Sequence, residues 1–267
     1  MIYRESTPSF ECSGIVERFW SVEYDAGSEA PPEPVLPDGC PEIVFNLADR
    51  FQRIPTYGDV ETQASAIVSG QIRSRLLIRP TGRVSLFGVR FRPNAAMGFL
   101  GVAMSSLTDQ VVPLSDVIGG LSGELESRIG ETANFEERVA IVESALGSRR
   151  SNGDASIVAG LTEMITESGG RMSVMELVDR SGVGERRIER MFDKYVGVSP
   201  KVFSRIVRFR SVVRSIEAAD SFGLLDTALS FGYFDQSHMI HEFNEFAGTS
   251  PRGYFEQTHR LSELFTS

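Results

Sequence analysis

The sequence predicts two domains: an N-terminal β-rich barrel or sandwich with added helices, and a C-terminal all-α double helix-turn-helix. Three observations carry the prediction. Short apolar runs separated by turn residues fill residues 10–100. A polar stretch with two glycines, Gly147–Asp154, then interrupts the chain, and everything after it has helical period. Finally, one pattern of helix, glycine turn, helix and Ser-Pro occurs twice between Ser173 and Phe255. At roughly 100–200 residues per domain, 267 residues suit two. The expected division is 1–147, a linker at 148–154, and 155–267.

Bulk composition narrows the class. With 41% hydrophobic and 24% charged residues, the chain can bury a core as a soluble protein does. Its net charge of −9 alone argues against a polyanionic partner. The charge is unevenly spread, however. Residues 1–154 carry 14 Lys+Arg against 21 Asp+Glu, whereas Arg186–Arg214 holds nine basic residues and only Glu189 and Asp193 as acids. Phosphates respond to that local balance. Cys12 and Cys40 are too few for a disulfide framework and form no CxxC, which suits reduced thiols in the cytoplasm. Met1–Glu11 lacks the apolar stretch of a signal peptide. No apolar run approaches the ~18–20 residues that span a bilayer, so no membrane partner is expected.

Strands are expected at Ile15–Tyr24, Glu42–Leu47, Arg75–Ile78 and Val84–Phe91. In the last, Val84, Leu86 and Gly88 alternate with Phe87, Val89 and Phe91. Trp20, Phe19, Phe45 and Phe87 read as core rather than as a ligand cage. Pro37–Pro41 reads as a tight turn first and a thiol sensor second. From Asn94 the period changes. Ala95, Ala96, Phe99 and Leu100 fit one helical turn, and helices are expected at Ser115–Ile129 and Asn134–Leu146.

After the linker, Ala155–Ser168 opens the helical part. Ser173 with Glu176 three residues on is a capping box, and Gly182 permits a left-handed turn. Glu185–Tyr195 places Ile188, Met191, Phe192 and Tyr195 on one face and Arg186, Arg187, Glu189, Arg190, Asp193 and Lys194 on the other. Ser199 and Pro200 start a long helix running to about Ala219 with a stripe of Val202, Ile206, Phe209, Val213 and Ile216. At ~1.5 Å per residue it makes a rigid spacer of about 30 Å. The second copy follows. Leu224, Leu225, Ala228 and Leu229 form its first helix, Gly232 its turn and Asp235–Phe246 its second helix. Met239, Phe243, Phe246 and Gly248 repeat Ile188, Phe192, Tyr195 and Gly197 at an offset of 51.

Residues 155–258 resemble the DNA-binding domain of the AraC/XylS family of bacterial transcription regulators. The matching residues are Leu177, Ser181-Gly182-Val183, Arg190-Met191-Phe192 and Gly197-Val198-Ser199-Pro200. They are followed by Ala228, Phe231-Gly232-Tyr233, Asp235-Gln236-Ser237-His238, Phe243, Gly248-Thr249-Ser250-Pro251 and Tyr254. The resemblance implies a sequence-specific regulator that binds double-stranded promoter DNA, with the second helix of each unit in the major groove. It also implies an N-terminal cupin-type barrel for effector sensing or dimerisation. A small-molecule effector, a homodimeric partner and RNA polymerase join the expected partners on the same ground.

Chemistry then selects residues. Base reading is expected from Arg186, Arg187, Glu189 and Arg190 in the first unit and from Gln236, Ser237, His238 and His241 in the second. Arginine can grip guanine O6 and N7, glutamine reads adenine, and glutamate accepts from cytosine N4. Glu189 could equally pair with a neighbouring arginine. Phosphate contacts are expected from Lys194, Lys201, Arg205, Arg208 and Arg210, each of which could instead bridge to a surface acid. Glu242 and Glu245 would weaken phosphate attraction in the second unit. Asp235, His238 and His241 make a weak metal set, so neither a metal nor a cofactor is expected. Arg73, Arg75, Arg79 and Arg83 could hold an anionic effector or be solvated strand ends. The competing reading is an enzyme whose site lies in the β-rich part, with the helices as scaffold. Against it, residues 1–150 hold no histidine, no GxSxG and no phosphate loop.

Overall fold

A computed structural model describes residues 1–267 except 28, 56–57, 148–152, 218–223 and 256–267. The expectations for most of the linker, and for the side chains of Ile216, Leu224 and Leu225, lie outside the described residues.

The N-terminal region is built from two antiparallel sheets. The strands are β1 (Ile2–Ser6), β2 (Val16–Asp25), β3 (Glu33–Val35), β4 (Glu42–Asn46), β5 (Gln52–Ile54), β6 (Glu61–Thr62), β7 (Ala66–Ser69), β8 (Leu76–Arg79), β9 (Arg83–Phe91) and β10 (Val111–Pro113). Six of them follow the order β1-β2-β9-β4-β7-β10, and four the order β3-β8-β5-β6. The central strands of the larger sheet are buried on both faces. The alternation of β2 and β9 sends Trp20, Val22, Val84 and Leu86 into a cluster with Phe51 that reaches Ile78 of the smaller sheet. The opposite parity, Phe19, Phe87, Val89 and Phe91, joins Ile43 and Phe45 under a layer of helices. There Phe87 lies 6.3 Å from the Phe19 ring and meets Phe135 edge-on at 5.9 Å. Gly88 sits opposite Trp20 in the ladder, and a Cβ there would fall inside the indole ring.

The helices are α1 (Ala96–Leu100), α2 (Ser115–Ile118), α3 (Gly120–Glu131) and α4 (Phe135–Leu146). The single helix expected over Ser115–Ile129 is two. Gly119, at φ 58 and ψ −132, takes a conformation that stops helix propagation. Asn134 caps α4 by accepting from the Glu137 amide at 3.1 Å.

The C-terminal part is all helix: α5 (Gly153–Glu167), α6 (Val174–Ser181), α7 (Glu185–Tyr195), α8 (Pro200–Glu217), α9 (Leu224–Ser230), α10 (Gln236–Ala247) and α11 (Pro251–Phe255). Two clusters divide it. Ile188, Met191, Phe192 and Tyr195 of α7 pack with Val158, Leu161 and Ile165 of α5. Met239, Phe243 and Phe246 of α10 pack with Ile206, Phe209 and Val213 of α8. The α8 stripe is wider than expected: Ile206, Phe209 and Val213 are buried as expected, Phe203 and Val212 join them, and Val202 is half-buried.

The two parts meet along a seam, and three of its contacts bear on the helix-turn-helix units. The turn at Pro37–Pro41 lies on α8, with Gly39 against Phe203 and Ile206. A short 3-10 turn, Met104–Leu107, lies at the end of α7, where Thr108 Oγ1 donates to the Gly197 carbonyl at 2.5 Å. The Arg75 amide donates to the Phe246 carbonyl at the end of α10 at 2.9 Å. Gly197 and Gly248 occupy equivalent positions in the two copies, both at positive φ (93 and 66). Met104 covers the first and the Arg75 side chain the second.

Candidate nucleic-acid interface

The first unit forms as its residues dictate. The Glu176 amide donates to Ser173 Oγ at 3.2 Å, while the Ser173 amide donates to Glu176 Oε2 at 2.8 Å. These hydrogen bonds hold the Glu176 carboxyl below its ordinary range. Gly182 ends α6 in the left-handed region (φ 67). The α7 helix buries Ile188, Met191, Phe192 and Tyr195, and so turns Arg186, Arg187, Glu189 and Arg190 to solvent.

Those four do not share one environment. Arg186 and Arg190 stand exposed and enter no ion pair among the described residues. Arg187 pairs with Asp154 at 2.9 Å, both about half exposed, an interaction worth at most ~1 kcal/mol and readily exchanged for a phosphate. Glu189 lies on the flank nearest the β-rich part and lines a cleft there with Arg73 and Asp193. On that flank Ser105 Oγ donates to Asp193 at 3.1 Å. The outward reach of α7 therefore rests on Arg186 and Arg190.

In the second unit, Asp235 caps α10 by accepting from the His238 amide at 2.7 Å, a structural role that the metal reading did not include. Ser237, His238 and His241 are exposed and Gln236 is half-buried. The His238 ring meets Tyr233 edge-on at 5.2 Å. No Lys or Arg lies on this helix.

Three of the five phosphate candidates are placed elsewhere. Arg205 Nε donates to Glu242 Oε2 at 2.8 Å and its Nη2 to Glu245 at 2.5 Å. Arg208 Nη2 donates to Glu242 at 3.0 Å and its guanidinium covers the Tyr233 ring at 4.5 Å. Tyr233 completes the set by donating its hydroxyl to Glu242 at 2.8 Å. Glu242, only 2% exposed, is thus a buried carboxylate between α8 and α10. Burial opposes its ionisation, yet the two arginines and the tyrosine hold its pKa below the ordinary value. Glu242, expected to weaken phosphate attraction, thus lies inside the fold with its charge paired to Arg205 and Arg208.

Arg210 faces the other way. It is buried in the seam, where Nη1 donates to the Asp38 carbonyl at 3.1 Å. Beside it Arg90, 2% exposed, donates to Glu17 at 3.0 Å, to Glu42 at 2.9 Å and to Asp38. Cys40 donates its thiol proton to Glu17 at 3.1 Å, and burial pushes its pKa well up, so it is no ready thiolate. The sequence could not place these arginines, because their acids lie 37 and 172 residues away. Lys194 and Lys201 remain exposed, the former against the Tyr195 ring at 5.3 Å. The four arginines weighed as an anion site do not converge: Arg73 pairs with Asp109 at 2.6 Å, Arg79 donates to Gln52 at 2.6 Å, Arg75 covers Gly248, and Arg83 is exposed.

Comparison with known proteins agrees with this geometry. A family described as a helix-turn-helix domain matches residues 177–257, and one described as a domain of unknown function (DUF6597) matches residues 4–113. No curated protein matches in sequence. Among solved structures, ToxT from Vibrio cholerae in its P21 form is 11% identical, with a TM-score of 0.49 over 89% of this chain and 98% of that one. Unsaturated fatty acid bound ToxT is 13% identical, with a TM-score of 0.47 over 88% and 94%. The AraC-like transcriptional activator CuxR is 14% identical, with a TM-score of 0.27 over 81% and 88%. Residues 177–257 are a helix-turn-helix domain of the AraC type, two units in tandem joined by α8.

Proposed function

We propose that this chain is a sequence-specific transcription regulator that binds double-stranded DNA with α7 and α10 in successive major grooves. The observation that carries the reading is the tandem helix-turn-helix domain with Arg186 and Arg190 turned outward and unspent. Each is suited to a bidentate grip on guanine worth ~1–3 kcal/mol. Lys194, Lys201 and Arg187 supply phosphate contacts, which fix register rather than sequence. The α8 helix, about 27 Å long at ~1.5 Å per residue, holds the units apart on the scale of one duplex turn, ~34 Å. The enzyme reading leaves the paired helix-turn-helix without a task.

Small-molecule control fits the seam. A cavity of about 460 Å³ lies there, with Glu17, Asp38 and Asn94 on one side and Thr162, Glu163 and Arg214 on the other. That is the size of a ligand pocket. The space between the two sheets, lined by Trp20, Val44 and Leu76, measures about 70 Å³. Homodimerisation through the β-rich part and contact with RNA polymerase belong to the same reading.

The test is selection of duplexes from a random library by the full chain, followed by anisotropy titration at several salt concentrations. The expected result is one enriched bipartite site, with log K falling by about 0.9 per phosphate contacted for each unit of log salt. Failure to enrich any duplex would overturn the reading.

A further inference from the structure

The two turns differ in length. Counted from the turn glycine, the first unit runs Gly182, Val183 and then Gly184 as the N-cap of α7. The second runs Gly232, Tyr233, Phe234 and then Asp235 as the N-cap of α10. Val183 and Tyr233 both pack inward, half-buried and 4% exposed. Phe234 is the extra residue, and it is 87% exposed. Burying a phenyl ring is worth ~1.5–3 kcal/mol relative to leaving it in water, so an inserted aromatic this exposed is available to a partner outside the chain.

Its neighbours fix where it stands. Tyr233 is held by its hydrogen bond to Glu242 and by Arg208 over its ring. Asp235 is held as the cap. The Phe234 amide lies 3.5 Å from His238 Nδ1. The ring therefore projects at the leading end of α10, the end that a helix-turn-helix presents to base edges. The surface behind it is Gln236, Ser237, His238 and His241, with no cation to grip guanine. The one apolar group that base edges offer in the major groove is the C5-methyl of thymine, a contact that phenylalanine makes.

We propose that Phe234 reads thymine by packing its ring on the C5-methyl in the half-site bound by α10, with Gln236 on a nearby adenine. The inference rests on the DNA-binding reading and adds an A·T preference to the second half-site, against guanine in the first.

The experiment uses the full chain and the duplex selected from the random library, with each thymine replaced singly by deoxyuridine. Only the methyl is lost. The α10 half-site is the half whose base preferences survive in Arg190→Ala. Wild type is expected to lose about three- to fivefold in affinity at one or two positions of that half, the value of one buried methyl. Phe234→Ala is expected to bind the thymine and deoxyuridine duplexes equally, and Phe234→Leu to retain part of the difference. The variants should fold, since the ring is 87% exposed, and circular dichroism melts verify it. Wild type indifferent to every deoxyuridine in that half, or Phe234→Ala with full discrimination, overturns the inference and leaves DNA binding standing. A selection that enriches nothing removes both.

Discussion

In the first helix-turn-helix unit the position of Met191 is apolar and the outer face of α7 is cationic. In the second, 51 residues on, Glu242 occupies the equivalent inner position and the outer face of α10 carries no cation. Beyond the one extra turn residue of the second unit, the two differ in how charge is spent. The first leaves Arg186 and Arg190 exposed and outside any ion pair among the described residues. The second draws Arg205 and Arg208 inward from α8 to neutralise a carboxylate in its own core. A buried ion set of this kind is no better for stability than apolar packing, but removing one member leaves the others uncompensated. The basic run from Arg186 to Arg214 therefore overstates the surface available to DNA.

The largest effect that would test this division is on binding. Arg186→Ala/Arg190→Ala should weaken the selected duplex by roughly 100-fold or more, from ~1–3 kcal/mol per arginine. Ser237→Ala/His238→Ala should cost less than about tenfold. Equal losses in anisotropy titrations would erase the division of labour. Next comes stability. Glu242→Gln should destabilise the protein by about 3 kcal/mol, because it leaves Arg205 and Arg208 without their shared carboxylate. An unchanged urea midpoint would show that the set is idle. Met191→Gln, at the equivalent position, tests apolar packing instead.

Acid should separate the units. Glu242 has a pKa below the ordinary 4.5 in the folded protein. Its contribution is therefore present above about pH 4.5 and is lost as pH falls through the lowered folded value. The first unit buries no acid in α7. Hydrogen exchange at pH 3 to 4 should thus show α10 amides opening before those of α7, and the reverse order would contradict the role given to Glu242. The smallest contrast concerns the paired glycines. Alanine at either costs about 1 kcal/mol for positive φ. Gly197→Ala should cost more than Gly248→Ala, since its Cβ would stand 2.8 Å from the Met104 carbonyl, whereas at Gly248 it meets the mobile end of an arginine. Melting temperatures of the two variants decide it.

Much of this was legible in the chain. The bounds of α7 follow from its i, i+3, i+4 pattern, and the Ser173–Glu176 box from its spacing. The β9 alternation placed Phe87 and Val84 on opposite faces, as found. The strands not expected, β1, β3, β5, β6, β7 and β10, have two to five residues, too few to show a period; β4 and β8, equally short, were marked by apolar runs rather than by period, and the pairing of all of them is set by partners outside the strand itself. Arg205, Arg208 and Arg210 misled for a related reason: a helix wheel shows which side a residue takes, not what waits there. Phe234 was legible in principle. Counting from Gly182 and Gly232 rather than from the helix cores exposes the extra residue.

Gly197 and Gly248 have a consequence for the kinetics of recognition. Each marks the far end of a reading helix, and each is covered by a residue of the β-rich part, Met104 and Arg75. The two reading helices are thereby registered to one common body as well as to α8. Docking the first helix then brings the second to its groove already oriented, so little further ordering entropy is lost on engagement. On the proposed mode of binding the same arrangement favours one pitch: a base pair added between the half-sites, which turns the second groove away from α10, is expected to weaken binding.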